Sequence, residues 1–239
     1  MKTICISGER RGNAGGASVT GVGADKVAAV AGVAGSAASI SSNTYIYYDE
    51  QTLAGVVIDP GVGARKVIEA IESNSIVIKH ILLTHGHYDH VAAVPEIKNR
   101  YKADVCSLKE ENEILQNPIF NVSILMGRYI KIVADKFLCD GEEINVGAGT
   151  LRVIHTPGHT VGGACYYDAR NRVVFVGDTL FNESIGRTDF FTGDFNSIIS
   201  SIKLKLFLLP DDVMVYCGHG ERTTIGHEKT RNPFLTDMG

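Results

Sequence analysis

The stretch Thr84-His85-Gly86-His87-Tyr88-Asp89-His90 carries most of the information about the fold and chemistry of this chain. Three histidines and one aspartate, all of them potential metal ligands, fall within six residues. The apolar, β-prone run Ile81-Leu82-Leu83 precedes them, and Gly86 allows the backbone to turn sharply. The pattern predicts a loop at the end of a buried strand, with imidazoles and a carboxylate in one shared space. The alternative is a solvated polar loop, although packing rarely needs three histidines so close together.

Three further candidate ligands follow predicted strands: His159 after Leu151 to Ile154, Asp178 after the run ending at Gly177, and His219 after Val213 to Cys217. Each one alone is typical of a cap or turn residue. Strands of one sheet share an edge, however, so residues at their ends can converge. Together with the first stretch, they supply five histidines and two aspartates at strand ends.

The ligand atoms of these seven residues indicate which metals they would bind and what reaction those metals would support. Seven nitrogen and oxygen ligands without a thiolate suit two divalent cations, with Zn²⁺ first and iron or manganese as alternatives. A carboxylate between two cations can bridge them, and a water held by both would be acidified near neutral pH. The pattern therefore predicts a metal-dependent hydrolase.

Length and composition are those of an ordinary globular protein of 239 residues, which is one large domain or two small ones. The formal net charge of -4 gives no reason to expect nucleic acid as a partner. The stretch Val27 to Tyr48 is uncharged, but its Ala, Gly and Ser content is too weakly apolar for a membrane span, so no membrane partner is predicted. Five widely spaced cysteines without a CxxC pair favour reduced thiols and a cytoplasmic setting.

Secondary structure is predicted from apolar periodicity. Alternating patterns predict strands, with helices at Ala64 to Ser73, Val91 to Tyr101 and Lys109 to Gln116. Asp194 is predicted to cap a helix whose buried face carries Phe195, Ile198, Ile199, Ile202 and Leu206. A weaker helix is predicted at Ala24 to Ala38, and no element is assigned to Asn117 to Lys136. The tyrosines are assigned mainly to packing.

From residue 40 to 239, the chain resembles the metallo-β-lactamase superfamily and, within it, the glyoxalase II-like hydrolases. Besides the ligand pattern, the resemblance rests on the runs GDTLF (177–181), SIGRTDF (184–190), GHG (218–220) and TTIGHE (223–228). It implies an α/β fold, a four-layered αβ/βα sandwich, over a single domain spanning residues 1–239. The Gly/Ala-rich segment 8–38 is atypical of the family.

The resemblance also implies how the ligands divide. One metal would be held by His85, His87 and His159. The other would be held by Asp89, His90 and His219. Asp178 would bridge the two, which makes Asp89 and Asp178 the predicted catalytic carboxylates. Asp59, in the run VVIDPG, would orient a ligand imidazole.

The substrate is predicted to be a small-molecule thioester such as S-lactoylglutathione or a related hydroxyacyl thioester. Only 19 residues follow Gly220, so the helical extension that supplies part of the glutathione site in glyoxalase II has no counterpart here. Arg187 lies near the place of a substrate-binding basic residue in that family. It is a candidate substrate ligand, and a surface arginine or an internal salt bridge is the alternative.

Two other functions share this resemblance. The first is a mononuclear iron enzyme similar to persulfide dioxygenases, which bind iron through two histidines and an aspartate. The position of His219 within Gly-His-Gly favours a second metal over that alternative. The second is a redox or binding module similar to flavodiiron proteins, which need a flavin domain that this sequence does not show. The nucleases of the superfamily need an inserted domain for which the sequence has no room.

Overall fold

The structure of the chain is a computed structural model, and it describes residues 1–7, 42–61 and 63–236. The helix predicted at Ala24 to Ala38 and the whole atypical segment 8–38 lie outside these described residues. The single domain over 1–239 therefore stays a prediction.

Two six-stranded sheets dominate the described residues. The first contains, in spatial order, β1 (Lys2–Ser7), β2 (Asn43–Tyr48), β3 (Ala54–Ile58), β4 (Val77–Leu82), β5 (Asp104–Leu108) and β6 (Lys136–Leu138). The second contains, in chain order, β7 (Glu143–Val146), β8 (Gly149–His155), β9 (Ala164–Asp168), β10 (Val173–Gly177), β13 (Met214–Cys217) and β14 (Thr223–Thr224). A short hairpin joins β11 (Leu180–Phe181) and β12 (Ser184–Ile185).

Parallel pairing brings the site loops to common edges. In the first sheet, β3, β4, β5 and β6 are successively parallel, whereas β1, β2 and β3 are antiparallel. In the second sheet, β10 and β13 are parallel, so the loops that follow them leave from the same edge. The spatial order of the second sheet is β14-β13-β10-β9-β8-β7.

Helices connect the strands and cover the outer faces. The α-helices are α1 (Ala64–Ser73), α2 (Tyr88–Val91), α3 (Val94–Tyr101), α4 (Asn112–Gln116), α5 (Phe195–Leu204) and α6 (Ile225–Arg231). Short 3₁₀ helices span Lys109–Glu111, Ser123–Met126 and Leu206–Leu208. The Asp194 carboxylate accepts a hydrogen bond from the Ser197 amide at 2.7 Å, which confirms the predicted cap of α5.

Three apolar clusters separate four layers. Alternate residues of one strand enter different clusters: Ile46 packs with Val67 of α1, whereas Tyr45 and Tyr47 face the second sheet. In β10, Phe175 likewise faces the first sheet. The third cluster joins the outer face of the second sheet to α5 and α6. Burying a side chain such as Phe175 contributes about 1.5–3 kcal/mol to the stability of the fold. The layer order confirms the predicted α/β fold, a four-layered αβ/βα sandwich.

Buried tyrosines also join the two sheets by hydrogen bonds. Tyr45 of β2 donates to the Cys217 carbonyl at 2.6 Å, and Tyr47 donates to Asp168 at 2.7 Å. In the opposite direction, Tyr166 of β9 donates to the Leu83 carbonyl at 2.7 Å. These residues pack as predicted, but Tyr45 and Tyr166 also anchor the backbone just before two groups of candidate ligands.

The uncharged stretch that ends at Tyr48 contains β2, a fully buried strand. Among the described residues, no helix combines the length and apolar character needed to cross a bilayer. All five cysteines are free, and four of them are buried.

Three predicted elements differ from the structure. The helix predicted over Val91 to Tyr101 is divided into α2 and α3, with Pro95 in the first turn of α3, where its missing N–H costs nothing. Phe195 is 52% exposed and is not part of the third cluster, and Leu206 lies beyond the end of α5, in the 3₁₀ helix that follows it. The predicted polar helix at Lys109 to Gln116 begins as a 3₁₀ turn and continues as α4.

Candidate metal centre

The loop after β4 carries the first candidate ligands, as the sequence predicts. His85, His87 and His90 are all buried, and His87 immediately precedes the short helix α2. A β-carbon on Gly86 would lie 3.0 Å from the Ile114 side chain, so the turn packs tightly on α4. The Tyr88 amide donates to the Asn121 carbonyl at 2.8 Å, which anchors the loop from the other side.

His85, His87 and His159 form the first part of the site, named here the three-histidine half. One ligand nitrogen from each lies within 4.8 Å of the others. His87 Nδ1 is 2.9 Å from His159 Nε2. His159 reaches this place from the loop after β8, on the other sheet. The structure therefore brings together the three residues assigned to one metal.

Asp89, His90 and His219 form the second part, named here the carboxylate half. Their ligand atoms also lie within 4.8 Å of one another. His219 Nε2 is 3.2 Å from Asp89 Oδ2 and 3.3 Å from His90 Nε2. His219 follows β13 and its side chain is 31% exposed, which makes it the most open member of the site.

Asp178 lies between the two halves, directly after β10. Its Oδ1 is 3.3 Å from His90 Nε2, and its Oδ2 is 3.3 Å from His219 Nε2. The same Oδ2 is 3.6 Å from His159 Nε2 in the other half. Both carboxylate oxygens therefore face ligands, and the residue has the placement that bridging requires.

Asp59 holds His90 from behind. Its Oδ2 accepts from His90 Nδ1 at 3.0 Å, because a carboxylate oxygen can only accept from a ring N–H. Its Oδ1 accepts from the Thr84 amide at 2.7 Å, and Oδ2 also accepts from the Thr84 hydroxyl. Asp59, His85 and His90 are close enough to be a third ligand group. We assign Asp59 to orientation instead, since both of its oxygens are already occupied and His90 Nε2 faces the other carboxylates.

His159 is oriented by the backbone. Its Nδ1–H donates to the Arg187 carbonyl at 2.7 Å, which leaves Nε2 without a proton and directed at the site. The Arg187 side chain points elsewhere: it makes a bidentate pair with Asp189, with both contacts at 2.7 Å, and lies 4.0 Å from the Phe190 ring centre. Its role as a substrate ligand stays a prediction.

Aromatic rings border the three-histidine half. The Phe190 ring contacts His87 edge to face, with ring centres 5.0 Å apart. Phe191 stacks on Phe120 at 3.7 Å, so the loop before α5 is joined to the loop after α4. This side of the centre is therefore an apolar wall built by two loops.

Close packing also restricts the carboxylate side. A β-carbon on Gly218 would lie 2.2 Å from Asp178 Oδ1 and 2.8 Å from the His90 ring. Only glycine fits between the Asp178 carboxylate and the His90 imidazole, which explains the first glycine of the Gly-His-Gly run around His219.

Protonation differs between the two halves. Burial, reinforced by neighbouring imidazoles, lowers the pKa of His85 well below its usual value and that of His87 to about 3. Burial lowers the pKa of His159 as well. In the carboxylate half, burial acts in the same direction, but Asp178 and Asp89 outweigh it. They raise the pKa of His90 well above its usual value and that of His219 to about 10.

The carboxylates respond in the opposite sense. Burial opposes ionisation of Asp178, yet His90 and His219 hold its pKa well below the usual range. The pKa of Asp89 is lowered against the same penalty of burial, chiefly by His90. Both aspartates are therefore anions at neutral pH.

The residues fit a pair of cations. Among the described residues, His85 Nε2 and Asp178 Oδ1 are buried atoms without a hydrogen-bond partner. An unsatisfied buried polar atom is costly in a folded protein, and a cation ligated by such atoms removes that cost. One unsatisfied atom belongs to the three-histidine half, and the other belongs to the bridging carboxylate. The donors are imidazole nitrogens and carboxylate oxygens, which suit borderline divalent metals.

Sequence reasoning missed Glu111. This residue is fully buried, and its carboxylate accepts three hydrogen bonds from the two loops that carry the three-histidine half. Burial raises its pKa to about 7, although the hydrogen bonds from Gly86, Thr160 and Gly162 act against that shift. Nothing in the polar run around Glu111 distinguishes it from its exposed neighbour Glu110.

Comparison with known proteins gives a consistent result. The family model described as the metallo-beta-lactamase superfamily matches residues 40–219. The curated hydroxyacylglutathione hydrolase GloC of Haemophilus influenzae is 36% identical over 200 residues, which are 82% of this chain and 94% of that protein.

Three solved structures are similar over most of the chain. BLEG-1 B3 metallo-beta-lactamase is 38% identical with a TM-score of 0.79, covering 83% of this chain and 96% of its own. TTHA1623 in a di-iron-bound form is 30% identical with a TM-score of 0.74, covering 83% and 98%. ETHE1 from Myxococcus xanthus is 29% identical with a TM-score of 0.67, covering 81% and 79%.

Proposed function

This chain belongs to the metallo-beta-lactamase superfamily, and we propose that it hydrolyses small hydroxyacyl thioesters such as S-lactoylglutathione. The observation that carries the proposal is the placement of Asp178 between two ligand groups, within 3.6 Å of histidines from both. Such a site is suited to two cations. The similarity to hydroxyacylglutathione hydrolase GloC supports a thioester as the substrate class.

Each metal has a defined set of holders in this proposal. The three-histidine half would hold one cation, the carboxylate half would hold the other, and Asp178 would contact both. The donor set favours Zn²⁺. Iron is the main alternative, supported by the di-iron-bound form of TTHA1623, and manganese is the third. Bound cations would supply Lewis-acid polarisation of the thioester carbonyl and would acidify a water.

The protein residues supply orientation and hydrogen-bond acceptors. Because the pKa values of Asp89 and Asp178 are both lowered, neither carboxylate holds a proton to donate. As an anion, Asp89 can accept a hydrogen bond from a water at the centre and orient it, which is the catalytic role that we assign to it. A thiolate leaves readily without protonation, so a thioester matches a site that offers no carboxylic acid.

We propose that a small substrate binds beside the centre without strong charge pairing. Arg187 is the basic residue that we propose for substrate contact, but a substrate carboxylate would have to exchange with Asp189. We therefore expect weak saturation with S-lactoylglutathione, because loss of uniform binding appears in KM and not in kcat.

The test is a direct comparison of substrates on metal-replete enzyme. S-lactoylglutathione, a simple hydroxyacyl thioester and a β-lactam are assayed side by side, with Asp178→Ala as the inactive control. We expect measurable thioester turnover with poor saturation and little β-lactam hydrolysis. The resemblance to BLEG-1 makes the β-lactam arm necessary. If β-lactam hydrolysis exceeds thioester hydrolysis in kcat/KM, the proposed substrate class is wrong.

The alternative function that the sequence resemblance leaves open is mononuclear iron-dependent persulfide oxidation. The contacts of His219 with both Asp89 and Asp178 argue against it, since they complete a second ligand group. Oxygen uptake on a persulfide by enzyme containing about one iron per chain would establish this alternative and exclude the hydrolase.

The cysteines and the composition support a proposed cellular location and proposed partners. Free thiols at all five cysteines support a reducing, cytoplasmic setting. A small-molecule thioester is the proposed partner, with neither nucleic acid nor membrane among the partners.

A further inference from the structure

Glu111 occupies a position that the proposed reaction does not explain. It is the last residue of the 3₁₀ turn before α4, and none of its surface is exposed. Oε1 accepts from the Gly86 amide at 2.7 Å. Oε2 accepts from the Thr160 hydroxyl and from the Gly162 amide, each at 2.9 Å.

The three donors come from the two loops that carry metal ligands. Gly86 lies between His85 and His87, and Thr160 directly follows His159. The loops leave different sheets, since one follows β4 and the other follows β8. Glu111 therefore connects, through one carboxylate, the backbone around every member of the three-histidine half.

The fit around Glu111 is close and specific for an acceptor. A β-carbon on Gly162 would lie 2.3 Å from the Glu111 amide nitrogen, so this loop can approach only because residue 162 is glycine. Both backbone partners are obligatory donors, and they contact different oxygens of the carboxylate. A glutamine would place its NH₂ group against one of these backbone N–H groups. Both groups are donors, so neither would have an acceptor.

Burial of a carboxyl group carries a cost that a packing role does not require. An apolar side chain could fill the same space without desolvating a charge. The hydrogen bonds instead hold two separate backbone loops at one distance. Backbone position in turn sets how far His87 Nδ1 lies from His159 Nε2, which is 2.9 Å here.

We propose that Glu111 is a positioning residue that fixes the two ligand loops so that the three-histidine half is formed before a cation binds. The inference rests on the metal-dependent function proposed above. It predicts a selective effect, because none of the three hydrogen bonds of the Glu111 carboxylate goes to the Gly218-His219 loop or to Asp59.

The test compares Glu111→Gln with Glu110→Gln in the full chain. Glu110 is the exposed neighbour and loses the same charge, so it is the matched control. Metal affinity is measured by competition with a chromophoric chelator at mildly alkaline pH, using Co²⁺ and Zn²⁺. His159→Ala and His219→Ala identify which binding step and which part of the Co²⁺ visible spectrum belong to each half.

We expect Glu111→Gln to weaken the step that His159→Ala abolishes by about 10- to 100-fold, the range for residues that orient metal ligands. The step assigned through His219→Ala should change by less than about 3-fold, and Glu110→Gln should match the wild type. The Co²⁺ spectrum of Glu111→Gln should change only in the bands of the three-histidine half.

Two results would overturn the inference. One is wild-type affinity at both steps in Glu111→Gln. The other is an equal loss at both steps together with a lower melting temperature of the metal-free protein, which would indicate a general structural role. If Glu111→Gln does not fold, Thr160→Val removes one hydrogen bond at nearly constant shape. It should weaken the same step by a few-fold, and no change there would equally reject the inference.

Failure of the inference differs from failure of the proposed function. Wild-type protein that binds no metal, or that binds metal without thioester turnover, contradicts the function. Wild-type protein that binds two metals and hydrolyses thioesters, but whose metal affinity is insensitive to Glu111, contradicts only the positioning role.

Discussion

The two halves of the metal centre use different physical means to present their ligands. The three-histidine half is buried and apolar in its surroundings, and the lowered pKa values of its imidazoles keep them neutral. The carboxylate half is more open at His219, and its imidazoles are held as cations by Asp89 and Asp178. The neutral three-histidine half can therefore bind a cation without first losing a proton. In the carboxylate half, His90 and His219 must each release a proton before they can bind one.

This contrast indicates how one protein can keep a highly charged cluster folded. In the carboxylate half, protons on His90 and His219 offset the two aspartates when no metal is bound. In the three-histidine half, burial and neighbouring imidazoles outweigh the attraction of the nearby aspartates, so the rings stay neutral. Asp178 lies near histidines of both halves and therefore connects a neutral group of imidazoles to an ion-paired one. Variants can separate the contributions of the two halves.

Asp178→Ala should have the largest effect, because it removes the contact between the halves. We expect loss of metal and a decrease in kcat/KM of roughly 10³-fold, equivalent to about 4 kcal/mol of transition-state stabilisation. Metal content and thioester turnover measured on the same preparation check the result. A variant that keeps two metals at wild-type affinity would show that Asp178 does not bridge.

Asp59→Ala should weaken the carboxylate half selectively. The substitution removes the acceptor that orients His90, and loss of such an acceptor costs about 10- to 100-fold in metal affinity. The chelator competition described for Glu111 measures the change, and the two variants should affect opposite halves. Equal weakening of both binding steps by Asp59→Ala would remove the distinction between the halves.

Metal removal should destabilise the fold through mass action. At a free metal concentration of about 100 times Kd, binding contributes roughly 2.7 kcal/mol, or about 5–10 °C in melting temperature for a chain of this size. Calorimetry of chelator-treated and metal-replete protein checks this. An identical melting temperature would mean that the cluster does not bind metal in the folded state.

The metal-free protein should lose stability in both directions of pH. Below the ordinary histidine pKa of 6.5, the unfolded chain takes up a proton on His87 that the folded protein refuses until about pH 3, so stability falls with falling pH. Above 6.5, the folded state keeps a proton on His219 that the unfolded chain has lost. That contribution disappears as pH rises through about 10.

Urea unfolding at a series of pH values measures both slopes. His87→Ala should flatten the acid slope, and His219→Ala should flatten the alkaline one. If either variant flattens the other slope instead, the assignment of neutral and charged halves is reversed.

Much of this centre was predictable from local sequence. The ligands follow strands with clear apolar patterns, and Gly86 indicates a turn between His85 and His87. The family resemblance over residues 40–239 then assigned the ligands to two metals. The structure places the three residues of each half close together. The capped helix α5 was equally accessible, since Asp194 precedes an apolar periodicity.

Long-range polar contacts were not predictable in the same way. The Glu111 carboxylate accepts a hydrogen bond from Gly162, 51 positions later in the sequence. The Tyr45 hydroxyl donates to the Cys217 carbonyl, 172 positions later. A buried glutamate in a polar run has no periodic signature, and a tyrosine hydroxyl finds its acceptor only after two sheets pack. The break between α2 and α3 likewise includes a distant contact, since the Ala93 amide donates to the Pro60 carbonyl at 3.0 Å.

Metal analysis of protein purified without chelator tests the central claim most directly. Because both halves are complete and Asp178 contacts each of them, we predict about two divalent cations per chain in active, thioester-hydrolysing enzyme. About one iron per chain in fully active enzyme would contradict the two-part centre.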